Sequence, residues 1–412
     1  MQRVMCIAFF SLTLATFFFI HTPRASAGYI DTFRHLMSSI FGISITPSDL
    51  RARYSFDVVR VLVVPGHDID YSGAGYRDLV EADLTLEVAT HLMALFQNDP
   101  RFNSLTTRDS KTGAYLDAFS LYFAREEDAI KAFAHGARTL THSLFESNLL
   151  QINQPLSHAF APSEMVTRLY GINKWANENK IDLTIHIHFN DHPGHRVNKP
   201  GTYTGFTIYI PERQFPNAVA SKDFARPVYE ELARVMPVSD LPAESTGLVE
   251  DQELIAVGAN ATREGVGILI EYGYIYESVL ADPKVRAAYT KELALATYRG
   301  VKRFFEDAGH VPRTAILPYQ WEKNLSRGMK NSTDVLSLQR ALMEEKLYPP
   351  PGNTLRECPL NGNFGPCVAS SVKLFQEKYA SEIYGTTKPA TYSGAVGEAT
   401  RKVLNERHSA VQ

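Results

Sequence analysis

The segment Val58–Val64, apolar except for Arg60, runs straight into Pro65-Gly66-His67 and so delivers an imidazole at the exit of a buried-type strand. A strand with so few polar breaks must be covered on both faces, which commits the chain to a layered α/β arrangement. Two further apolar segments behave alike: Ile181–Phe189 carries His186 and His188, and Gly267–Tyr272 carries Glu271. Between the first and second of these, Glu81 stands at the mouth of an amphipathic helical pattern. Two imidazoles and one carboxylate suit Zn²⁺ with its fourth tetrahedral position left open, and a separate carboxylate can then take a proton from water. The pattern points to metal-assisted hydrolysis.

From Ser55 to Gly309 strand-like runs alternate with helical patterns, as in a central sheet, mostly parallel or mixed, flanked by helices. The spacing predicts strands over Val58–Val64, Ser104–Thr107, Ile181–Phe189, Thr204–Ile210 and Gly267–Tyr272. It predicts helices over Ala82–Gln97, Met165–Asn179, Ser221–Met236, Gln252–Ala261 and Lys284–Glu306. Residues 111–164 interrupt the alternation and hold one long helical pattern, Arg125–Leu150. An insertion there reads either as a surface elaboration or as a lid over the site. Residues 310–327 form a linker, and residues 328–412 carry three short helical patterns, at Thr333–Lys346, Val368–Tyr379 and Glu398–Asn405.

Met1–Ala27 has the form of a signal peptide: Arg3, an apolar run from Val4 to Ile20, and Ala25-Ser-Ala27 as small residues for cleavage. The alternative is an uncleaved anchor, since the run nears the length that spans a bilayer. Residues 28–54 then form an N-terminal extension. Export would remove Cys6 and leave Cys358 and Cys367, a pair most simply read as a disulfide in an oxidising compartment, with two buried thiols as the alternative. With 42 basic against 45 acidic residues and a net charge of −3, electrostatic capture of nucleic acid is not expected.

In order and spacing these residues resemble the zinc-dependent N-acetylmuramoyl-L-alanine amidases that cleave bacterial peptidoglycan. The resemblance rests on Gly66-His67, Glu81, Thr107-Arg-Asp109, Asp182-Leu183, His188-Phe-Asn190, Gly205-Phe206 and Leu269-Ile-Glu271-Tyr-Gly-Tyr274. It implies that His67, Glu81 and His188 hold one Zn²⁺, that Glu271 is the catalytic carboxylate, and that the amide between N-acetylmuramic acid and L-alanine is cut. Peptidoglycan is the implied partner of an exported monomer in the periplasm or outside the cell, with room for an activator protein. The region 328–412 resembles a three-helix peptidoglycan-binding module, through Asp334-Val335, Leu338-Gln339, Leu342, Asn361-Gly-Asn-Phe-Gly365, Val372, Phe375-Gln376, Gly397 and Thr400.

The chain departs from the family pattern at Asp68-Ile69, where glycine is usual, and at His186, where a small residue is usual. Two residues apart on one strand, His186 and His188 share a face. His186 is therefore a hydrogen-bonding partner in the surrounding shell, a transition-state stabiliser or a competing ligand. Glu271 has an alternative as well, as a buried strand acid paired with Arg263. Two other functional classes stay open: a zinc peptidase acting on stem peptides or proteins, and a catalytically silent wall-binding protein.

Overall fold

The computed structural model describes residues 45–153, 161–192 and 194–410; the signal-peptide reading of Met1–Ala27 lies outside them. Among the described residues eight strands are formed: β1 (Val59–Pro65), β2 (Gly75–Tyr76), β3 (Leu79–Val80), β4 (Phe102–Thr106), β5 (Leu183–Asn190), β6 (Thr207–Pro211), β7 (Leu248–Asp251) and β8 (Val266–Tyr274). Six of them make one sheet in the order β4-β1-β5-β8-β6-β7, and β2 and β3 form a small separate hairpin. Within the six-stranded sheet all pairings are parallel except β6 against β8. The layered α/β arrangement expected from the apolar runs is what forms.

Helices follow as α1 (Pro47–Phe56), α2 (Glu81–Gln97), α3 (Asp117–Arg125), α4 (Glu127–Glu146), α5 (Ser163–Glu178), α6 (Ala218–Leu232) and α7 (Pro283–Phe305). On one sheet face Val61, Val63, Ile185, Ile187, Ile268 and Ile270 meet α2, α6 and α7 in the largest core. On the other, Leu62 and Val64 pack with Phe119 of α3 and with Ile172 and Ala176 of α5. Both faces are thus covered, which is why these strands carry so few polar residues.

One expectation needs correction. Gln252–Ala261 is not a helix but two short 3₁₀ turns, Ile255–Val257 and Ala259–Ala261. Gly258 between them sits at φ 105°, and Asn260 and Ala261 also take positive φ, so the α-helical path is broken twice. The apolar residues that suggested a helix instead bury Ala256 and Val257 against Leu269 of β8. The helix expected over Arg125–Leu150 forms as α4 (Glu127–Glu146), with the separate α3 ahead of it and Glu126 (φ −104°, ψ 13°) between the two.

Residues 328–410 hold α8 (Thr333–Glu344), α9 (Pro366–Lys378), α10 (Ala380–Tyr384) and α11 (Glu398–His408) around a core that includes Trp321, Leu338, Phe364, Phe375 and Leu404. The two glutamines singled out in this region are structural. Gln339 Oε1 accepts from the backbone N–H groups of Asn361 (3.1 Å) and Gly362 (2.8 Å), and Gln376 Oε1 accepts from Gly394 N (3.0 Å). Each pins a tight turn whose glycine has positive φ, 71° at Gly362 and 70° at Gly394. Cys358 and Cys367 form a disulfide.

The region is docked rather than merely tethered. Leu336 and Leu360 belong to the large α/β core. Arg340 Nε lies 2.9 Å from Glu292 Oε1 of α7, and Arg356 reaches Asp240 at 2.8 Å. No helix among the described residues is long and apolar enough to cross a membrane.

Candidate metal centre

His67 leaves the end of β1 in the left-handed region (φ 61°), a conformation that a non-glycine residue adopts only where its surroundings impose it. Glu81 is the first residue of α2, and His188 lies on β5, one strand over from β1. One ligand-type atom from each lies within 4.8 Å of the others. The Glu81 carboxylate spans the pair: Oε2 is 3.1 Å from His67 Nε2 and Oε1 is 3.0 Å from His188 Nδ1. His67 and His188 keep 21% and 16% of their side-chain surface exposed against 5% for Glu81, so the group opens to solvent on the imidazole side. Two nitrogens and a carboxylate oxygen converging at an exposed edge form a donor set that fits a catalytic rather than a closed structural metal site.

Burial alone would raise the Glu81 carboxyl, but hydrogen bonds from His188 and His67 outweigh it and hold the group below the ordinary carboxylate range. His188 is lowered as well, since its burial favours the neutral ring. The ionised Glu81 and neutral His188 suit a cation, whereas at His67 burial is outweighed by the Glu81 carboxylate, which raises the ring, and that ring must give up its proton when a metal binds.

The backbone around the trio is built for close approach. A Cβ on Gly66 would stand 2.3 Å from the His188 ring, and one on Gly73 would stand 2.5 Å from Glu81 Oε2. The Gly66 carbonyl accepts from Thr85 Oγ1 of α2 at 2.8 Å. Arg108 is buried, and its guanidinium donates to the carbonyls of Ala82 (3.1 Å) and Gly113 (2.8 Å). This explains the Thr107-Arg-Asp109 motif physically: the arginine ties the start of α2 to the turn after β4.

Asp68, the departure from the family pattern, is a loop anchor. Its Oδ1 accepts from the N–H groups of Asp70 and Tyr71 at 2.9 Å each, and its Oδ2 pairs with Arg168 of α5 at 2.6 Å. Arg168 also pairs with Asp70 and Glu164, and Tyr71 donates to Glu164 at 3.1 Å. The sequence reading did not name Arg168, because a single arginine on a helix carries no signal of a partner a hundred residues away. In the insertion, Ile130, Phe133 and Ala134 of α4 pack with Tyr170 of α5, and Leu144 packs with Phe215 and Ala261.

Glu271 is the in-register neighbour of His188 on β8. Its Oε2 is buried without a hydrogen-bond partner, and burial, with the charges of Glu81 and Glu244 nearby, pushes its carboxyl well above the usual range. Arg263 does not neutralise it: that guanidinium donates to Thr184 Oγ1, Asn177 Oδ1 and the Ile181 carbonyl. The alternative in which Glu271 is a strand acid held by Arg263 therefore lacks its contact. His186 is buried, outside the converging trio, with neither ring nitrogen in a hydrogen bond. Burial pushes it down to about 3, so the ring is neutral.

Also unread in the sequence was Glu244, from the stretch before β7. It is buried and accepts from Asn190 Nδ2 (2.7 Å), Tyr209 (2.7 Å), Ser239 (2.6 Å) and Tyr274 (3.2 Å).

A family profile described as N-acetylmuramoyl-L-alanine amidase matches residues 61–303. No curated protein matches the chain significantly. Among solved structures, the CwlD amidase from Clostridioides difficile, in complex with the GerS lipoprotein, is 15% identical, with 60% of this chain and 98% of that one covered at a TM-score of 0.38. The catalytic domain of CwlV from Bacillus (Paenibacillus) polymyxa var. colistinus is 17% identical, with 62% and 100% covered and a TM-score of 0.35. The amidase Ami1 from Mycobacterium smegmatis is 16% identical, with 60% and 96% covered and a TM-score of 0.37.

Proposed function

The chain belongs to the N-acetylmuramoyl-L-alanine amidase family, and from that premise we propose that His67, Glu81 and His188 hold one catalytic Zn²⁺ while Glu271 moves the protons of amide hydrolysis. The observation that carries the reading is the convergence of the three ligand-type atoms within 4.8 Å, with Glu271 in register beside His188. Zinc bound there supplies acidification of water and polarisation of the scissile carbonyl.

The protein's own groups account for the remaining steps. Glu271 accepts a proton from the attacking water as the oxygen bonds to the lactyl carbonyl carbon. A buried carboxylate with raised proton affinity is suited to that task. As the C–N bond breaks, the same proton passes to the nitrogen of L-alanine, leaving a lactyl carboxylate and a free amine. Arg108, Thr85 and Arg168 keep the loop that bears His67 in place throughout.

We place the enzyme in the cell envelope, exported behind Met1–Ala27, with the region 328–412 as a peptidoglycan-binding-like module. The Cys358–Cys367 disulfide supports an oxidising compartment. The test is to incubate the zinc-loaded mature protein with peptidoglycan, with and without a chelator, and to identify the products by mass spectrometry. Intact stem peptides with free L-alanine amines, lost on chelation, are expected. Cuts within the peptides would instead make it a zinc peptidase.

A further inference from the structure

Asn190 lies two residues beyond His188 at the end of β5, half-buried, after an irregularity in the pairing with β8. Its Nδ2 donates to Glu244 Oε1 at 2.7 Å. A carboxylate without its proton offers only acceptors, so the contact settles which end of the amide faces it: the N–H₂ end turns to Glu244 and the carbonyl Oδ1 turns away. Glu244 is itself immobilised. Its Oε1 accepts from Asn190 and Tyr209, its Oε2 from Ser239 and Tyr274, and only 2% of the residue is exposed. Four donors from β5, β6, β8 and the segment after α6 saturate the carboxylate and leave it one position. Burying such a charge is tolerable only when it is hydrogen-bonded to this degree.

We infer that Glu244 is a positioning residue that orients the Asn190 amide so that Asn190 Oδ1 accepts a hydrogen bond from an N–H of the substrate beside the metal centre. This rests on the amidase reading and deepens it. The substrate carries such donors close to the scissile bond, in the amide N–H itself and in the acetamido group of the sugar. An acceptor fixed in advance binds them without the entropy of ordering a free side chain. A carbonyl oxygen aimed at the substrate favours N–H over a bare ester oxygen, which has no hydrogen to give.

The test uses full-length zinc-loaded protein and a soluble muropeptide containing the muramoyl–L-alanine amide. KM and kcat are measured for turnover, and Kd by calorimetry in a Glu271→Gln background. Asn190→Ala should raise KM and Kd about tenfold, as loss of a neutral hydrogen bond does, with kcat little changed. Glu244→Leu, which removes the acceptor, should do the same with zinc content unaltered, and the double variant should be no worse than Asn190→Ala alone, because both act through one contact. Native Kd in Asn190→Ala, additive losses in the double variant, or a Glu244→Leu defect confined to kcat would each overturn the inference.

Should Glu244→Leu fail to fold, Asn190→Asp decides. It keeps an acceptor oxygen but has no N–H for Glu244, so it must match the Asn190→Ala defect, and native Kd would overturn the proposal. Wild-type protein that binds the muropeptide without cleaving its amide counts against the amidase reading alone, since the Kd comparison still stands.

Discussion

Gly66 and the His188 ring are in van der Waals contact across two neighbouring strands, so close that a Cβ on Gly66 would lie 2.3 Å from the ring. Gly66 is therefore glycine because of an imidazole more than a hundred residues away. Gly66→Ala should push the His188 ring out of the converging trio and lower bound zinc well below one equivalent while leaving the sheet folded. Metal analysis with circular dichroism checks this; full zinc occupancy in Gly66→Ala would show that the ring can relocate and still bind.

Metal binding and proton transfer should separate cleanly. His67→Ala and His188→Ala are expected to lose zinc. Glu271→Gln should retain it and lose turnover by about 10²–10⁴-fold, the range of a missing general base. His186→Ala should keep the metal and lose about ten- to a hundredfold in activity, as partners surrounding a metal site do. Zinc lost from His186→Ala but kept by His188→Ala would exchange the two roles.

Arg168 holds the loop that follows His67 through Asp68 and Asp70. Arg168→Ala leaves Asp68 buried without its cation, which costs about 1–3 kcal/mol of stability. It also frees the loop, so zinc affinity should drop about tenfold or more. Competition with a chromophoric chelator measures the affinity, and an unchanged value would mean that Thr85 and Arg108 suffice to hold His67.

Arg340 and Glu292 join α8 to α7 with 8% and 2% of their side chains exposed. Removing one member of so buried a pair strands the other, at a cost of about 3–5 kcal/mol. Arg340→Ala should therefore shift the urea midpoint of the whole protein in one transition. Adding Glu292→Gln should recover part of the loss, because the amide carries no charge to strand. Two separate transitions in the single variant would instead mark residues 328–410 as an independently folding unit.

The local chemistry of this chain is legible from its sequence because strand and helix periodicities are short-range properties. Apolar runs around Val63, Ile187 and Ile270 demand cover on both faces, and a histidine or glutamate interrupting such a run has to be explained by a partner. His188 and Glu271 stand out on those grounds, while His67 and Glu81 gain their roles through the resemblance to the amidase family. The same periodicity misread Gln252–Ala261, where Gly258 and Asn260 turn the backbone left-handed and the apolar residues bury as turns.

What only the tertiary structure decided is which groups meet. Register places Glu271 beside His188, Arg263 spends its donors away from Glu271, and Asp68 finds Arg168 a hundred positions along. Glu244 gathers donors from three strands and a loop, none of them near it in sequence apart from Ser239. A carboxylate written alone in a chain carries no record of its donors; they exist only once the sheet has brought β5, β6 and β8 side by side.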